Sequence, residues 1–360
     1  MRSERPILVT GATGFVGRAL SAALLREGRA VRCASRAPER GRHLLAEVPW
    51  VRLDVNDPAT IEPALAGCWA AYYLVHSMGD RQGDYARRER EAAQAFAAAA
   101  ARAGLERIIY LGGIRPLGRP SKHLASRLAV GALLRQGPVL TIELRAAMIV
   151  GHGSESWRIC RDLAATLPGM ILPRWTRSRS EPVALDDVLV ALRRALDLPL
   201  ARSASYDLPG PEPLTVREIL RTTARVLDLP DPLFLDVPVL SPRLSAYWLR
   251  LVTRADWRVA RELVHGLEHD LLARDDRYWS LIGHPHRLPF EEAARRAIAA
   301  EGPRRPRHFL DRLQQLRRQS TAHRQRRCRD DRLSDEGRAL SSLASEVSLS
   351  RAQRETKEEP

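Results

Sequence analysis

The sequence predicts an α/β protein with a doubly wound parallel sheet, a smaller C-terminal substrate-side subdomain and a basic tail. Three observations predict it. Strand-like and helix-like segments alternate over residues 6–145, a glycine-rich segment joins the first strand to the first helix, and apolar residues become sparse after residue 303. Strands that alternate with helices indicate βαβ units, whose parallel sheet is covered by helices on both faces.

Six short apolar runs and four helical segments follow one another in this alternation. The predicted strands are Ile7–Val9, Ala30–Ala34, Val51–Leu53, Ala70–Val75, Ile108–Leu111 and Val139–Leu144, and the predicted helices cover 14–27, 58–66, 82–103 and 121–136. Six strands in this rhythm are typical of a doubly wound dinucleotide-binding fold.

The composition divides the 360 residues into three regions. Residues 5–150 are predicted to form the nucleotide-binding domain. Residues 151–302 are rich in proline and form the predicted substrate-side subdomain, from which a strand and helix near 183–197 return to the nucleotide-binding core. Residues 303–360 are predicted to be largely disordered, because arginine, glutamine, serine and glutamate replace apolar residues there.

The net charge of +15 comes almost entirely from arginine, since Lys122 and Lys357 are the only lysines. This charge favours anionic partners. The arginine-rich run 303–332 lacks the interleaved aromatic residues that stack on bases, so no specific nucleic-acid function is predicted.

Four widely spaced cysteines form no metal-ligand pattern and are typical of thiols in a reducing cytoplasm.

No stretch is long and apolar enough to predict a transmembrane helix, and MRSERPILVT lacks the apolar core of a secretory signal. The helical apolar stripe of Leu240–Val252 has two interpretations, a lipid- or quinone-facing surface and ordinary packing. Peripheral membrane association therefore stays open, and the oligomeric state is not predicted.

The segment from Thr10 to Gly17 has GxxGxxG spacing directly after a strand. Gly11 permits a tight turn, Gly14 lets backbone amides approach a pyrophosphate, and Gly17 lets the helix pack close to the strand. The free amides and positive dipole of the helix N-terminus then attract phosphate. The predicted cofactor-binding residues here are Gly11, Thr13, Gly14, Phe15, Val16 and Gly17.

The end of the second strand predicts which dinucleotide binds. NAD-binding domains usually have an acidic residue there for the ribose 2′-hydroxyl. This chain has Ser35 and Arg36 instead, which suit a 2′-phosphate, so NADP is predicted with NAD as the alternative. Asp54 and Val55, after the third strand, are predicted to contact the adenine.

Further motifs accompany the glycine motif and Asp54, namely YLGG at 110–113, HLASR at 123–127, LRAA at 144–147, PVALDDV at 182–188 and YDLPGP at 206–211. Together these motifs resemble the atypical short-chain dehydrogenases/reductases, specifically bacterial NAD(P)-binding proteins related to NmrA and to the accessory NAD(P)-binding subunit of respiratory complex I. The resemblance covers about residues 5–300 and implies a Rossmann-type fold.

Standard members of that superfamily use Ser, Tyr and Lys, with the last two spaced YxxxK. This sequence contains no YxxxK, and the corresponding helix has His123 and Arg127 instead, while Gly112 and Gly113 stand where the Ser is expected. In one interpretation His123 moves a proton, Arg127 holds the cofactor and Ser77 or Ser121 orients the substrate. In the other, His123 and Arg127 only help bind the cofactor. His76, after the fourth strand, is a further cofactor-binding candidate.

Two functions follow from these interpretations. The first is an NADP(H)-dependent oxidoreductase that moves hydride to or from a small carbonyl, enone or hydroxyl compound. The second is a non-catalytic NAD(P)H sensor or respiratory-complex accessory protein, which the missing YxxxK favours.

A group of four arginines lies in the predicted substrate-side subdomain and has two interpretations, a contact for an anionic substrate and a solvated basic surface. Its members are Arg161, Arg174, Arg177 and Arg179.

Overall fold

A computed structural model describes residues 4–75, 85–166, 169–237 and 269–301, with the backbone alone for 169–175 and 236–237. All of them lie in one compact unit, residues 1–304. Within these ranges no helix is long and apolar enough to cross a membrane.

Seven parallel strands form the central sheet. In chain order they are β1 (Ile7–Val9), β2 (Val31–Ser35), β3 (Trp50–Arg52), β4 (Ala70–Tyr73), β5 (Arg107–Gly113), β6 (Leu140–Ala146) and β11 (Ala204–Asp207). Their spatial order is β11-β6-β5-β4-β1-β2-β3. The chain therefore reverses direction across the sheet between β1 and β4, where doubly wound proteins bind ligands. The predicted fold class is confirmed.

Helices cover both faces of this sheet, and each face buries its own apolar core. On one face lie α1 (Phe15–Arg26), α2 (Pro38–Arg42), α7 (Leu185–Asp197) and α9 (Arg277–Leu281); on the other lie α3 (Ile61–Leu65), α4 (Tyr85–Arg102) and α5 (Lys122–Gln136). Side chains alternate between the faces along each strand. Thus Ile7 and Val9 pack towards α1, whereas Leu8 packs towards α3 and α4.

A third core lies outside the central sheet, where Trp157 and Phe290 pack edge to face. It is built from α6 (Glu155–Thr166), α8 (Val216–Val226) and α10 (Phe290–Glu301). Three two-stranded sheets accompany it, formed by β7 (Ile149–Val150) with β10 (Val183–Ala184), β8 (Gly169–Pro173) with β13 (Leu233–Val237), and β9 (Arg179–Ser180) with β12 (Leu214–Thr215).

The segment 183–197 contains a strand and a helix, at Val183–Ala184 and Leu185–Asp197. Val183 and the helix α7 pack in the core on one face of the central sheet, while Val183–Ala184 pairs with Ile149–Val150 rather than with a strand of that sheet. The additional strand of the sheet is β11, which pairs in parallel with β6. Its sequence, ASYD, is too polar and too short to predict a strand, and its position follows from the α7 connection.

Candidate cofactor site

The glycine-rich turn after β1 closes in the way the sequence predicts. Gly11 has φ +63°, and a methyl group on it would lie 2.9 Å from the Leu74 carbonyl oxygen. A methyl group on Gly17 would lie 2.3 Å from the Gly11 carbonyl oxygen. Only glycine fits at both positions, because a side chain at either would push the turn, the helix and β4 apart.

The helix that follows begins without a side-chain cap. Its N-cap is Gly14, and its first turn contains no acidic residue. The first backbone amides of a helix have no partner within the helix, and they carry the positive end of its dipole. The N-terminus of α1 can therefore bind a phosphate group.

Thr10 fixes this turn to the neighbouring strand. Its buried hydroxyl donates to the Tyr72 carbonyl oxygen at 2.9 Å and accepts from the Leu74 amide at 3.0 Å. The hydroxyl thus extends the pairing of β1 and β4 past the point where both strands end. It holds the glycine turn against the end of β4.

A cavity of about 590 Å³ opens at the carboxyl ends of β1 to β5. A dinucleotide fits such a crevice, which crosses the point where the strand order reverses. Eight predicted or motif residues lie in its lining: Gly11, Thr13, Gly14, Ser35, Arg36, Asp54, Val55 and Arg127. The other lining residues are Ala34, Leu53, Asn56, Tyr73, Leu74, Val75, Glu89, Ala92, Tyr110 and Val130.

Ser35 and Arg36 lie at the β2 end of this cavity. The Ser35 hydroxyl accepts from the Ala37 amide at 3.1 Å, which leaves its own proton available for a ligand oxygen. The Arg36 side chain is exposed and has no ion-pair partner in the described part of the chain. Both groups can therefore donate hydrogen bonds to a phosphate.

Asp54 lies beside them at the end of β3 and has two functions in the structure. Its Oδ1 accepts from the Asn56 amide at 3.0 Å and so forms the turn that follows the strand. The same side chain lines the cavity, where a carboxylate can accept a hydrogen bond from an amino group. The turn fixes the orientation of the carboxylate.

The helix α5 brings Arg127 to the cavity. One Nη of Arg127 donates to the Leu111 carbonyl oxygen at 2.8 Å, and Tyr110 donates its hydroxyl proton to the Arg127 carbonyl oxygen at 3.0 Å. The buried Nε of Arg127 has no hydrogen-bond partner among the described residues. This unpaired donor fits a ligand that carries oxygen atoms.

His123 lies one helical turn before Arg127 and is half-buried, but it is not among the residues that line the cavity. Ser121 is the N-cap of the helix, and its hydroxyl accepts from the Leu124 amide at 3.3 Å. The two members of the predicted HxxxR pair therefore differ in their relation to the cavity, since Arg127 lines it and His123 does not.

The end of β5 is closely packed. A methyl group on Gly113 would lie 2.6 Å from the Leu124 side chain, and one on Gly112 would lie 3.1 Å from the Oε1 atom of Glu143. Glu143 is fully buried and accepts from Arg135 and Arg145. This glycine pair thus packs tightly where the standard family members place a catalytic side chain.

Glu89 is the main lining residue that sequence reasoning missed. It lies on α4, its exposed fraction is 7%, and its Oε2 accepts from the Ser126 hydroxyl at 2.5 Å. Nothing in the sequence signals its burial, because it stands among arginines and glutamates typical of a solvated helix face. Burial, with a smaller contribution from the charge of Glu89, raises the pKa of the neighbouring Tyr73.

Other predicted residues lie beside the cavity or outside the described ranges. Phe15 contacts the loop at Gly151 and Gly153, and Val16 packs on the core. Both residues lie in the first turn of α1, together with Gly17. His76 and Ser77 lie outside the described residues, as does the stripe 240–252.

The arginines of the predicted substrate-side group are partly neutralised. Arg161 is buried between Asp162 and Glu301, and Arg179 pairs with Asp270 at 3.1 Å. These two therefore do not offer a free charge to a substrate. Arg177 also has an interaction, and the side chain of Arg174 is not described. Across the described ranges, no group of three acidic, His or Cys side chains is arranged to hold a metal ion.

Comparison with known proteins agrees with this geometry. Residues 11–136 match the family model described as NAD(P)H-binding. Over 83 residues the chain is 35% identical to the Arabidopsis thaliana Protein BRI1-5 ENHANCED 1, a match that covers 20% of this chain and 23% of that protein. The chain thus spans less than a quarter of that relative.

Solved structures with the same fold are similar over most of this chain. The Citrobacter sp. triphenylmethane reductase complexed with NADP(H) superimposes with a TM-score of 0.63 at 19% identity, covering 81% of this chain and 99% of the reductase. MoeE5 in complex with UDP-glucose and NAD superimposes with a TM-score of 0.62 at 20% identity, covering 82% of this chain and 97% of MoeE5.

The match to the family model includes the glycine turn, the ends of β2 and β3 and the helix with Arg127. These are the segments that line the cavity. An NAD(P) cofactor is therefore the ligand of this site. Residues 11–136 form an NAD(P)H-binding domain, and the solved structures share the fold that the predicted relationship to the atypical short-chain dehydrogenases/reductases implies.

Proposed function

We propose that this protein is an NADP(H)-dependent oxidoreductase acting on a small carbonyl, enone or hydroxyl compound. The observation that carries the proposal is the continuous cavity from Ser35 and Arg36, past the glycine turn, to Arg127. The cofactor supplies or accepts a hydride when it is bound. We place the substrate beneath residues 151–302, next to the loop at Gly151 and Gly153.

The preference for NADP over NAD rests on the end of β2. Ser35 can donate its hydroxyl proton, and the unpaired guanidinium of Arg36 can form two parallel hydrogen bonds with a phosphate. No acidic residue stands there to accept a hydrogen bond from a ribose hydroxyl. Asp54 contributes at the adenine, where its orientation is fixed by Asn56.

The remaining roles concern proton transfer and orientation. Arg127 holds the ribose or diphosphate through its unpaired Nε. His123, one turn away, is the group that exchanges a proton with the substrate, and Ser77 orients the substrate.

A second candidate function is a non-catalytic NAD(P)H sensor or accessory subunit. Two observations favour it. The sequence has no YxxxK, and His123 does not line the cavity. In that case the same turn and the same Arg127 bind the cofactor, and the bound state is communicated to another protein.

Calorimetric titration of the purified protein with NADPH and, separately, with NADH tests whether the cavity binds a dinucleotide and whether it prefers NADPH. We expect NADPH to bind at least tenfold more tightly, since one charge-assisted contact contributes roughly 1.5–3 kcal/mol. Equal or tighter binding of NADH would overturn the NADP assignment. If NADPH binds, a screen of carbonyl and hydroxyl compounds separates the enzyme from the sensor, because only the enzyme changes the absorbance of the nicotinamide.

A further inference from the structure

The cavity contains a buried carboxylate, that of Glu89, to which the proposed function assigns no role. Glu89 is more than nine-tenths buried and lines the cavity. Ser126, the neighbour of Arg127 on α5, donates its hydroxyl proton to Glu89. This hydrogen bond joins α4 to α5 and holds the carboxylate in place.

The strand order locates this carboxylate along the cavity. Ser35, Arg36 and Asp54 follow β2 and β3, on one side of the point where the strand order reverses. Glu89 lies with Tyr110 and α5, on the side of β4 and β5. A dinucleotide spans that reversal point with one nucleotide on each side. Since the first three strands bind the adenosine half, Glu89 lies at the nicotinamide half.

The two ends of the cavity also differ in their charges. At the end near β5, the described charged lining residues are Glu89 and Arg127, which balance each other. Arg36 and Asp54 are the charged residues at the other end. Removal of the charge of Glu89 therefore leaves Arg127 as the charged residue among the described lining residues at this end, in a partly buried space where charges interact more strongly than in water.

We propose that Glu89 sets the preference of the site between the oxidised and the reduced cofactor. The oxidised nicotinamide ring carries a positive charge, and the reduced ring is neutral. A fixed carboxylate at this end stabilises the oxidised ring and offsets its repulsion by Arg127. This inference rests on the proposed function, because it requires that the cavity bind NADP(H).

The variant Glu89→Gln tests the charge while keeping an oxygen that can accept from Ser126. The measurement is the dissociation constant of NADP⁺ divided by that of NADPH, both from calorimetry. We expect this ratio to rise roughly tenfold, because one negative charge is removed from the end of the cavity that holds the ring, in a medium of intermediate dielectric constant. The matched control is Glu91→Gln on the same helix, where the side chain is 55% exposed and pairs with Arg87, and its ratio should not change.

A second pair of variants keeps the test valid if Glu89→Gln folds poorly. Arg127→Gln should lower the ratio, and Glu89→Gln combined with Arg127→Gln should raise it again relative to Arg127→Gln alone. The double variant leaves no uncompensated charge at this end of the cavity. Circular dichroism confirms that each variant is folded.

The outcomes separate the inference from the proposed function. A ratio that rises in Glu89→Gln and stays constant in Glu91→Gln supports the inference. If NADP⁺ and NADPH both bind but Glu89→Gln changes their affinities equally, Glu89 only joins the helices and the inference is wrong. If the unaltered protein binds neither, the proposed function itself fails.

Discussion

The two ends of the cavity are built in different ways. At β1 the cavity is lined by backbone, with Gly11 and Gly17 in contacts that exclude any side chain and Gly14 as the helix cap, and the Ser35 and Arg36 side chains lie beside it at the end of β2. The end at β5 is lined by side chains from three elements, namely the buried Glu89 and Tyr110 and the half-buried Arg127. A site lined by backbone is determined by a short local motif. A site lined by side chains forms only when helices and strands that are distant in the sequence pack together. The predictions below test this difference.

Gly17→Ala should have the largest effect, because the new methyl group would lie 2.3 Å from the Gly11 carbonyl oxygen. We expect the free energy of unfolding to fall by about 3 kcal/mol, as for other overpacked sites, and NADPH binding to be lost. Chemical denaturation and calorimetry measure both. The control is Gly28→Ala, where φ is +70° but nothing lies within 4 Å of the added methyl group. This control should lose about 1 kcal/mol of stability and no affinity. Normal binding by Gly17→Ala would contradict the backbone account of this end.

His123→Ala should reduce turnover by at least about 100-fold and change NADPH affinity only a few-fold, because proton transfer by a positioned side chain contributes that much. The measurement is steady-state turnover with a compound found in the substrate screen. The exposed neighbour Lys122→Ala is the control and should leave turnover unchanged. Turnover retained in His123→Ala would assign His123 to packing.

Arg36→Asp should weaken NADPH binding by roughly 30-fold, since a charge-assisted hydrogen bond is replaced by repulsion. NADH has no 2′-phosphate, so its affinity should stay the same or rise. Titrations with both nucleotides measure the change. Arg40→Asp is a matched control, because Arg40 is exposed and does not line the cavity. An unchanged preference in Arg36→Asp would exclude this residue from the 2′-phosphate contact.

Thr10→Val should have the smallest effect, a loss of about 1–2 kcal/mol in the free energy of unfolding. The substitution keeps the shape of the side chain but leaves the buried Leu74 amide without its acceptor and the Tyr72 carbonyl without its hydroxyl donor. Urea denaturation measures the loss, and Thr10→Ser, which keeps the hydroxyl, should recover most of it. Equal stability of the valine and serine variants would show that this hydroxyl does not stabilise the turn.

Much of the fold and one end of the site could be predicted from the sequence. The glycine spacing and the residues after β2 and β3 predicted cofactor-binding roles for Gly11, Gly14, Ser35, Arg36 and Asp54, and all five line the cavity. Such residues follow directly from strand ends, and the carboxyl ends of parallel strands meet at one edge of the sheet. Local sequence is sufficient for this end.

The other end could not be predicted in the same way. Glu89 is buried because α4 packs against α5, and a helix rich in arginine and glutamate gives no sign of which carboxylate faces inward. The HxxxR spacing places His123 and Arg127 on one helix face, but it does not show that the cavity ends at Arg127. The polar edge strand Ala204–Asp207 is a similar case, since its pairing with β6 depends on a long-range connection.

The bare N-terminus of α1 has a consequence for how such a protein changes over generations. Its phosphate-binding groups are peptide amides, which every residue except proline supplies equally. Substitution of an exposed turn residue such as Thr13 therefore leaves these amides in place, whereas a side chain at Gly11 or Gly17 would displace the turn. A switch of cofactor then requires only exchanges at the rim, at Ser35 and Arg36. Substitutions that change the cofactor without breaking the turn are therefore expected at the edge of the crevice, at Ser35 and Arg36, and not at the glycines.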